Sequence, residues 1–317
     1  MHKIVSFTRI LNEDDIIEAF VRHHATHIDE MLFLDYGSTD RTHEILAALR
    51  QEGFVLRVFQ SHAVNSDDIG ANLWGYQLAS QMMNADFILF LGADEFISTS
   101  DFRPLPTLLP GDSLAVRLKH LRYGMVGDED ETQLIVPRRL RWRLPAFVGQ
   151  GSVMVRGKIP NLFVAPGAAM VLLNGQALPT AEQEQITLAH YPYRSTWQAM
   201  QKYSTARLRG LAAGALGTEL SAIYAPPFAQ LRDKPEEILL EPVSHQDFMR
   251  SDAVEAPLTY LGGALSYTAA PPAPSHAVSG LLHYAERLAQ QYGKLQDELG
   301  EARKLVERWN RTREPVL

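Results

Sequence analysis

Between Ile4 and Leu91 the chain alternates short, almost unbroken apolar runs with longer stretches in which apolar residues return every three or four positions. No other feature narrows the fold so much. The runs IVSF (Ile4 to Phe7), MLFLD, FVLRVFQ and DFILFL read as strands apolar on both faces, which is the pattern of a sheet buried on both sides. The stretch NEDDIIEAFVRHHATH between the first two predicts an amphipathic helix. Asn12 is its N-cap, acidic residues fill its first turn, and Ile16, Ile17, Phe20, Val21 and His24 share one face. A second helix is expected over Arg41 to Gln51, capped by Ser38, Thr39 or Asp40, and a third over Ala71 to Met83. Strand–helix alternation of this kind builds a mostly parallel α/β sheet, and such sheets bind ligands beyond the carboxyl ends of their strands. Three polar segments follow strands here: FTRILNE, DYGSTD and GADEF. Topology therefore predicts that they converge.

Beyond Asp101 the pattern loosens. DSLAVRLKHL, QLIVPRRLRWRL and GSVMVRGKIP read as strands of an elaboration, and QITLAHYPYRS as a strand leading into a helix over STWQAMQKYSTARLRGLAA. The stretch 215–275 reads as loops and short helices, with APPF as a break and PPAPS as a linker. From Val278 to Arg311 an apolar seam recurs every seven residues. Leu281, Leu288, Leu295, Ala302 and Trp309 form one row, and Ala285, Tyr292, Leu299 and Val306 the other. That pattern fits either a coiled coil or an amphipathic helix packed on its own domain. The expected division is a domain over 1–214, an elaboration or linker over 215–277 and a C-terminal helix over 278–312.

Composition mainly excludes. A net charge of -7 argues against phosphate neutralisation on a nucleic acid as the main activity, and zero cysteines rule out disulfides, thiolate metal sites and cysteine nucleophiles. The N-terminal apolar run is too short, and the acidic cluster after it too early, for a signal peptide. No run approaches the roughly 20 apolar residues that cross a bilayer. A cytoplasmic location is expected.

The strand ends carry the chemistry. Asp35 stands where a ligand N–H or ribose hydroxyl could be met, with Asp40 bracing the loop; a ligand-free Asx turn would look the same. In FLGADEF two carboxylates, Asp94 and Glu95, follow a buried strand with no Lys or Arg beside them. A divalent cation held by oxygens would compensate them, and so would a helix N-cap region built with Ser98, Thr99 and Ser100. His190, at the end of an apolar strand, is either a core imidazole or a ligand to a manganese-like ion if that strand end faces Asp94.

In this order, LNEDDIIEAFVRHHATHIDEMLFLDYGSTDRT, GADEF and HYPYRSTWQAMQKY resemble the family 2 glycosyltransferases. The nearest pattern is the subgroup with Asn-Glu, His-His, Asp-x-Gly-Ser-x-Asp, Asp-x-Asp-Glu-Phe and His-Tyr-x-x-Arg-Ser, matched over about residues 1 to 210. The resemblance implies a GT-A, Rossmann-like α/β fold with a mixed, mostly parallel sheet flanked by helices, here with a C-terminal helical extension. It also implies an inverting transfer from a nucleotide-sugar aided by Mn2+ or Mg2+. By resemblance Thr8, Arg9 and Glu13 line the nucleotide pocket, and Asp35 contacts base or ribose. Asp94 and His190 hold the metal, and Arg194 and Lys202 meet phosphate charge. Gly92 replaces the first Asp of the motif, which bears on donor affinity and metal dependence.

Glu95 or an acid of the GDEDE loop (Asp128, Glu129, Asp130 or Glu131), with Asp130 as the candidate there, would supply the general base. Lys119, His120, Arg122 and PRRLRWR could bind an anionic acceptor or form a solvent-facing strand. Trp142 and Tyr123 could stack on sugars or belong to the core. The partners implied are a nucleotide-sugar donor, with UDP-sugars favoured, and a glycan or glycolipid acceptor in surface polysaccharide assembly. A second copy of the chain through the C-terminal helix and a membrane surface for peripheral association are also implied, and no nucleic acid. Competing readings are a degenerate, non-catalytic GT-A interaction module and another nucleotide-sugar enzyme. A nucleotidyltransferase would carry a Gly-rich loop with a Lys, which SFTRILNEDD does not.

Overall fold

The computed structural model describes residues 2–61, 68–99, 105, 113–147, 151–165, 170–214, 222–234, 252–269 and 274–311. Four strands, β1 (Ile4–Ile10), β2 (Glu30–Asp35), β3 (Leu56–Gln60) and β4 (Phe87–Gly92), pair in parallel in the order β3-β2-β1-β4. Helices α1 (Ile17–His24) and α2 (Thr42–Gln51) cover one face, with Phe20, Val21, Ile45, Leu46 and Leu49 packed on Ile4, Ile10 and Phe33. Helix α3 (Asp68–Gln77), continued by a π turn over Leu78–Met82, covers the other face through Ala71, Tyr76 and Ala79 against Val5 and Phe7. The unbroken apolar runs are the consequence of this double cover.

Past β4 the sheet becomes mixed. β6 (Ala115–Gly124) and β8 (Val153–Arg156) run antiparallel to each other, and β8 pairs antiparallel with β4. β12 (Ala181–His190) runs parallel to β6 and antiparallel to β5 (Glu95–Thr99). The result is a mixed, mostly parallel sheet flanked by helices with a C-terminal helix, consistent with a GT-A α/β fold. Among the described residues no helix is long and apolar enough to cross a membrane.

Several local expectations are corrected. Asn12 does not cap α1: it adopts φ 57, and its Oδ1 accepts from Thr39 N at 2.7 Å, tying the β1 exit to the loop after β2. The Glu95–Thr99 stretch is a strand, so the cap reading of Ser98 and Thr99 fails; Ser100 lies outside the described residues. In QLIVPRRLRWRL only Trp142–Arg143 is strand, and Val136–Arg139 is a helical turn because Pro137 cannot donate to a ladder and fits a first helical turn. By the same logic APPF opens the helix Ala225–Asp233 instead of breaking it. Residues 215–221, 235–251 and 270–273 of the expected elaboration lie outside the described residues, and the C-terminal helix starts at Pro274, inside the stretch read as a linker.

The two histidines of the His-His pair are structural. His23 Nε2 lies 2.8 Å from Ile97 O while its Nδ1 accepts from Leu261 N; His24 Nδ1 lies 2.8 Å from Phe20 O while its Nε2 accepts from Ile97 N. One donating and one accepting nitrogen per ring require the neutral form. Burial depresses both, His23 to about 4. They bolt α1 to β5.

Candidate functional site

Asp94 and His190 meet because of strand pairing. A two-residue turn, Ala93–Asp94, joins β4 to β5, and the antiparallel register of β12 on β5 sets His190 opposite Glu95. His190 Nε2 lies 3.6 Å from Asp94 Oδ2. The same Oδ2 accepts from Lys202 Nζ at 2.8 Å; Lys202 comes from helix α5 (Thr196–Ala212), whose N-terminus Ser195 caps by accepting from Gln198 N. Burial alone would raise the Asp94 carboxyl; the Lys202 ammonium, then His190, outweigh it and hold it well below its usual range. Lys202 in turn sits above the usual amine range, its burial more than offset by Asp94.

Beside this pair opens a cavity of about 360 Å³ at the carboxyl ends of β1 and β4. Arg9, Glu13, Tyr36, Glu95, Lys202 and Arg209 line it. Its size suits part of a nucleotide-sugar. Arg9 pairs with Asp68 across the wall. The Arg209 guanidinium carbon stands 4.3 Å from the Tyr36 ring centroid, and its buried Nε has no hydrogen-bond partner among the described residues. A buried, unpartnered cationic donor on a cavity wall fits an anionic ligand.

The structure brings Asp94 and His190 together and adds Lys202, which was assigned to phosphate charge but here bonds to Asp94; Arg9 and Glu13 line the cavity. The other sequence-based assignments need correction. Thr8 is fully buried and its Oγ1 has no partner among the described residues; strand alternation turns it to the face opposite Arg9. Asp35 is fully buried and does not line the cavity. Its carboxylate accepts from Gly37 N and Ser38 N and meets His43 Nε2 at 2.9 Å, so it shapes the loop that presents Tyr36. Arg194 is turned inward and does not line the cavity: Nε and Nη2 grip Asp15 at 2.8 and 2.9 Å, Nη2 also reaches Glu13 at 2.7 Å, and its buried Nη1 has no partner among the described residues. Its guanidinium is held above its usual range, burial being outweighed by Asp15 and Glu13, whereas burial pushes Glu13 up to about 7.

Neither proposed base suits that role. Glu95 Oε2 accepts from Gly92 N at 2.8 Å and Ser152 Oγ at 2.7 Å, while Oε1 lies 3.0 Å from His120 Nε2. Burial would raise Glu95, but His120 holds it below the usual range, and a low-lying, fully engaged carboxylate is a weak proton acceptor. Asp130 is exposed, bonds to Thr132 N and Oγ1 in its own turn, and does not line the cavity. Tyr36 and Arg209 were missed. Arg209 lies seven residues after Lys202, and with Gln198, Gln201 and Thr205 it makes a polar stripe at helical spacing that the sequence displays.

The described residues contain no group of three or more His, Cys, Asp or Glu able to hold a metal ion among themselves. A site of two protein ligands completed by substrate oxygens and water is how Mg2+ is commonly held. The Asp94–His190 pair fits that second kind, provided Lys202 gives up Oδ2. Gly92 supplies no further carboxylate, and a Cβ there would stand 2.7 Å from Asp94 Oδ1.

No family model matches the sequence, and no curated protein matches it significantly. Among solved structures, a mannosyltransferase from Pyrobaculum calidifontis in complex with GDP-Man and Mn2+ is 12% identical, with 75% of this chain and 78% of that chain covered and a TM-score of 0.39. The glucosyl-3-phosphoglycerate synthase from Mycobacterium tuberculosis in complex with Mn2+, UDP-glucose and phosphoglyceric acid is 18% identical over 66% of this chain and 79% of that one, at a TM-score of 0.34. The same enzyme with Mg2+ and UDP gives 19%, 66%, 79% and 0.34.

Proposed function

We propose that the chain is a glycosyltransferase of the family 2 type that moves a sugar from a nucleotide-sugar, with UDP-sugars favoured, to a hydroxyl of a glycan or glycolipid acceptor. Surface polysaccharide assembly, lipopolysaccharide or capsule, is the setting. The observation that carries this reading is the cationic cavity wall, Arg9, Lys202 and Arg209, with an unpartnered Arg209 Nε, beside Asp94 and His190. In this reading the three cations meet the donor diphosphate, and the Tyr36–Arg209 pair borders the nucleoside. Glu95 positions the Gly92 backbone and Ser152. A Mn2+ or Mg2+ ion at Asp94 and His190, when bound, supplies charge against the leaving diphosphate. Among the described residues that line the cavity, Arg194 holds one oxygen of Glu13, Arg9 pairs with Asp68 and His120 with Glu95. The family 2 resemblance favours a single displacement with inversion.

Calorimetry with UDP, GDP and CMP, with and without Mn2+, is expected to show metal-enhanced binding of one nucleotide, and a donor-hydrolysis screen then names the sugar. Absence of binding by all three overturns the enzyme reading and favours a non-catalytic module.

The C-terminal helix supports a second copy of the chain as partner. Its proximal part packs on the domain, with Tyr284 6% exposed, whereas Tyr292, Leu295, Leu299 and Val306 of the seam are 64%, 61%, 44% and 58% exposed. The side chain of Trp309 lies outside the described residues. Parallel pairing with Tyr292, Leu299 and Val306 at the first core position of the heptad places Glu298 against Arg303 of the partner subunit, an attractive pair flanking the seam. Truncation after Gln291 should therefore halve the particle mass in light scattering; an unchanged mass removes the dimer.

A further inference from the structure

We infer that Lys202 is the placeholder for the divalent ion: in the donor-free protein its ammonium occupies the cation position on Asp94, and it must leave for the ion to enter. This rests on the glycosyltransferase reading above and adds how the same site is regulated.

Three observations carry it. First, Lys202 Nζ and His190 Nε2 converge on one atom, Asp94 Oδ2, at 2.8 and 3.6 Å. An ion bound to that oxygen at about 2.1 Å would press on the ammonium, and two cations do not share the position. Second, Lys202 lines the cavity and Asp94 does not. Lys202 thus reaches from the cavity wall to Asp94, and the cavity gives its side chain somewhere to go. Third, among the described residues a single carboxylate, Asp94, touches both His190 and Lys202. Gly92 brings no second carboxylate, and Glu95 is committed to Gly92 N, Ser152 and His120. One carboxylate balances an ammonium but not a divalent ion. A donor diphosphate brings the missing negative charge, offers Lys202 a new partner and completes the ion's oxygen shell.

Ion and nucleotide should accordingly bind together, each poorly alone. If the lysine-withdrawn state is populated to about 1–10% without donor, the apparent affinity for Mn2+ alone is reduced about 10- to 100-fold.

The test titrates Mn2+ into nucleotide-free protein and follows the free ion by electron paramagnetic resonance, alongside calorimetry of UDP. Lys202→Met is expected to tighten nucleotide-free Mn2+ binding by about 10-fold or more, while Lys202→Arg, which keeps a cation on Asp94, stays at the level of the unaltered protein. Mn2+ binding by Lys202→Met no tighter than that of the unaltered protein, with UDP still bound, overturns the inference. If Lys202→Met does not fold, the unaltered protein crystallised with UDP and Mn2+ decides. Nζ on a diphosphate oxygen supports the placeholder, and Nζ still within hydrogen-bond distance of Asp94 beside a bound ion rejects it. Failure of the underlying reading looks different, because the unaltered protein then gives no heat with UDP, GDP or CMP under any condition.

Discussion

Asp94→Asn is expected to lower donor turnover about 1000-fold, a loss of about 4 kcal/mol in transition-state stabilisation. Asp94 is the sole carboxylate that reaches both His190 and Lys202, at 3.6 and 2.8 Å, among the described residues. The amide keeps the shape but loses the charge that orients the lysine and, in the proposed reading, would hold an ion. Steady-state hydrolysis of the donor identified by the screen measures the effect, with far-ultraviolet circular dichroism confirming the fold. The matched control is Asp130→Ala, expected to leave kcat/KM within about twofold, since that exposed side chain bonds only within its own turn. Equal losses in the two variants would return the catalytic role to the acidic loop. An unaffected Asp94→Asn would remove the proposed site altogether.

The largest effect on stability is expected at Glu18, far from the cavity. This carboxylate is fully buried in α1 and accepts from Ser266 N at 2.6 Å, Tyr267 N at 2.9 Å, Thr268 N at 2.7 Å and Thr268 Oγ1 at 2.9 Å. Arg22 Nε adds a fifth donor at 2.9 Å. Glu18→Ala leaves that cluster without an acceptor and should cost about 3–5 kcal/mol in urea unfolding. Glu18→Gln, which keeps one acceptor oxygen, should cost less than half as much. Burial by itself would raise the Glu18 carboxyl, but the three backbone donors and Arg22 together bring it below 4.5. The unfolded chain therefore takes up its proton first as pH falls. The contribution of Glu18 is complete above 4.5 and disappears as acid titrates the folded group below that value. A stability difference between the unaltered protein and Glu18→Ala that persists undiminished well into acid would contradict this account.

The parallel sheet was legible because physics leaves its mark in order along the chain: a strand covered by helices on both sides is mostly apolar through its middle. The proximity of Asp94 and His190 followed from strand ends and a resemblance; the bond of Lys202 to Asp94 did not, since the sequence pointed that lysine at phosphate charge. What failed, failed for local reasons. Thr8 was assigned to the pocket beside Arg9, yet adjacent strand residues face opposite ways, and only one of them can reach it. Asp35 and Arg194 have the right chemistry close to the right strand ends, but neighbours turn them away from the cavity, Gly37, Ser38 and His43 in one case and Asp15 and Glu13 in the other. Strand β5 was hidden because a two-residue turn leaves no room for a break in composition. The Glu18 cluster has no sequence signature at all, since its donors are mostly backbone N–H groups 248 to 250 residues away. Arg209 was readable in principle, at helical spacing from Lys202, and required only that the polar face of α5 be followed as closely as its apolar one.

The loop that presents Tyr36 has one further support. Arg287 Nη1, on the C-terminal helix, donates to Tyr36 O at 3.0 Å and Gly37 O at 3.1 Å. Gly37 is held to glycine by φ +86, and an added Cβ would also stand 2.0 Å from Arg287 Nη1 and push the guanidinium off the loop. These bonds join residues 251 and 250 positions apart. A ribosome adding about 5–20 residues per second delivers β2 and its loop on the order of ten seconds or more before the arginine that holds them. The sheet can assemble on the nascent chain, but this wall of the cavity has to wait. Completion of the cavity is thus tied to completion of the polypeptide, and a chain cut short before Arg287 keeps the sheet but lacks the clamp.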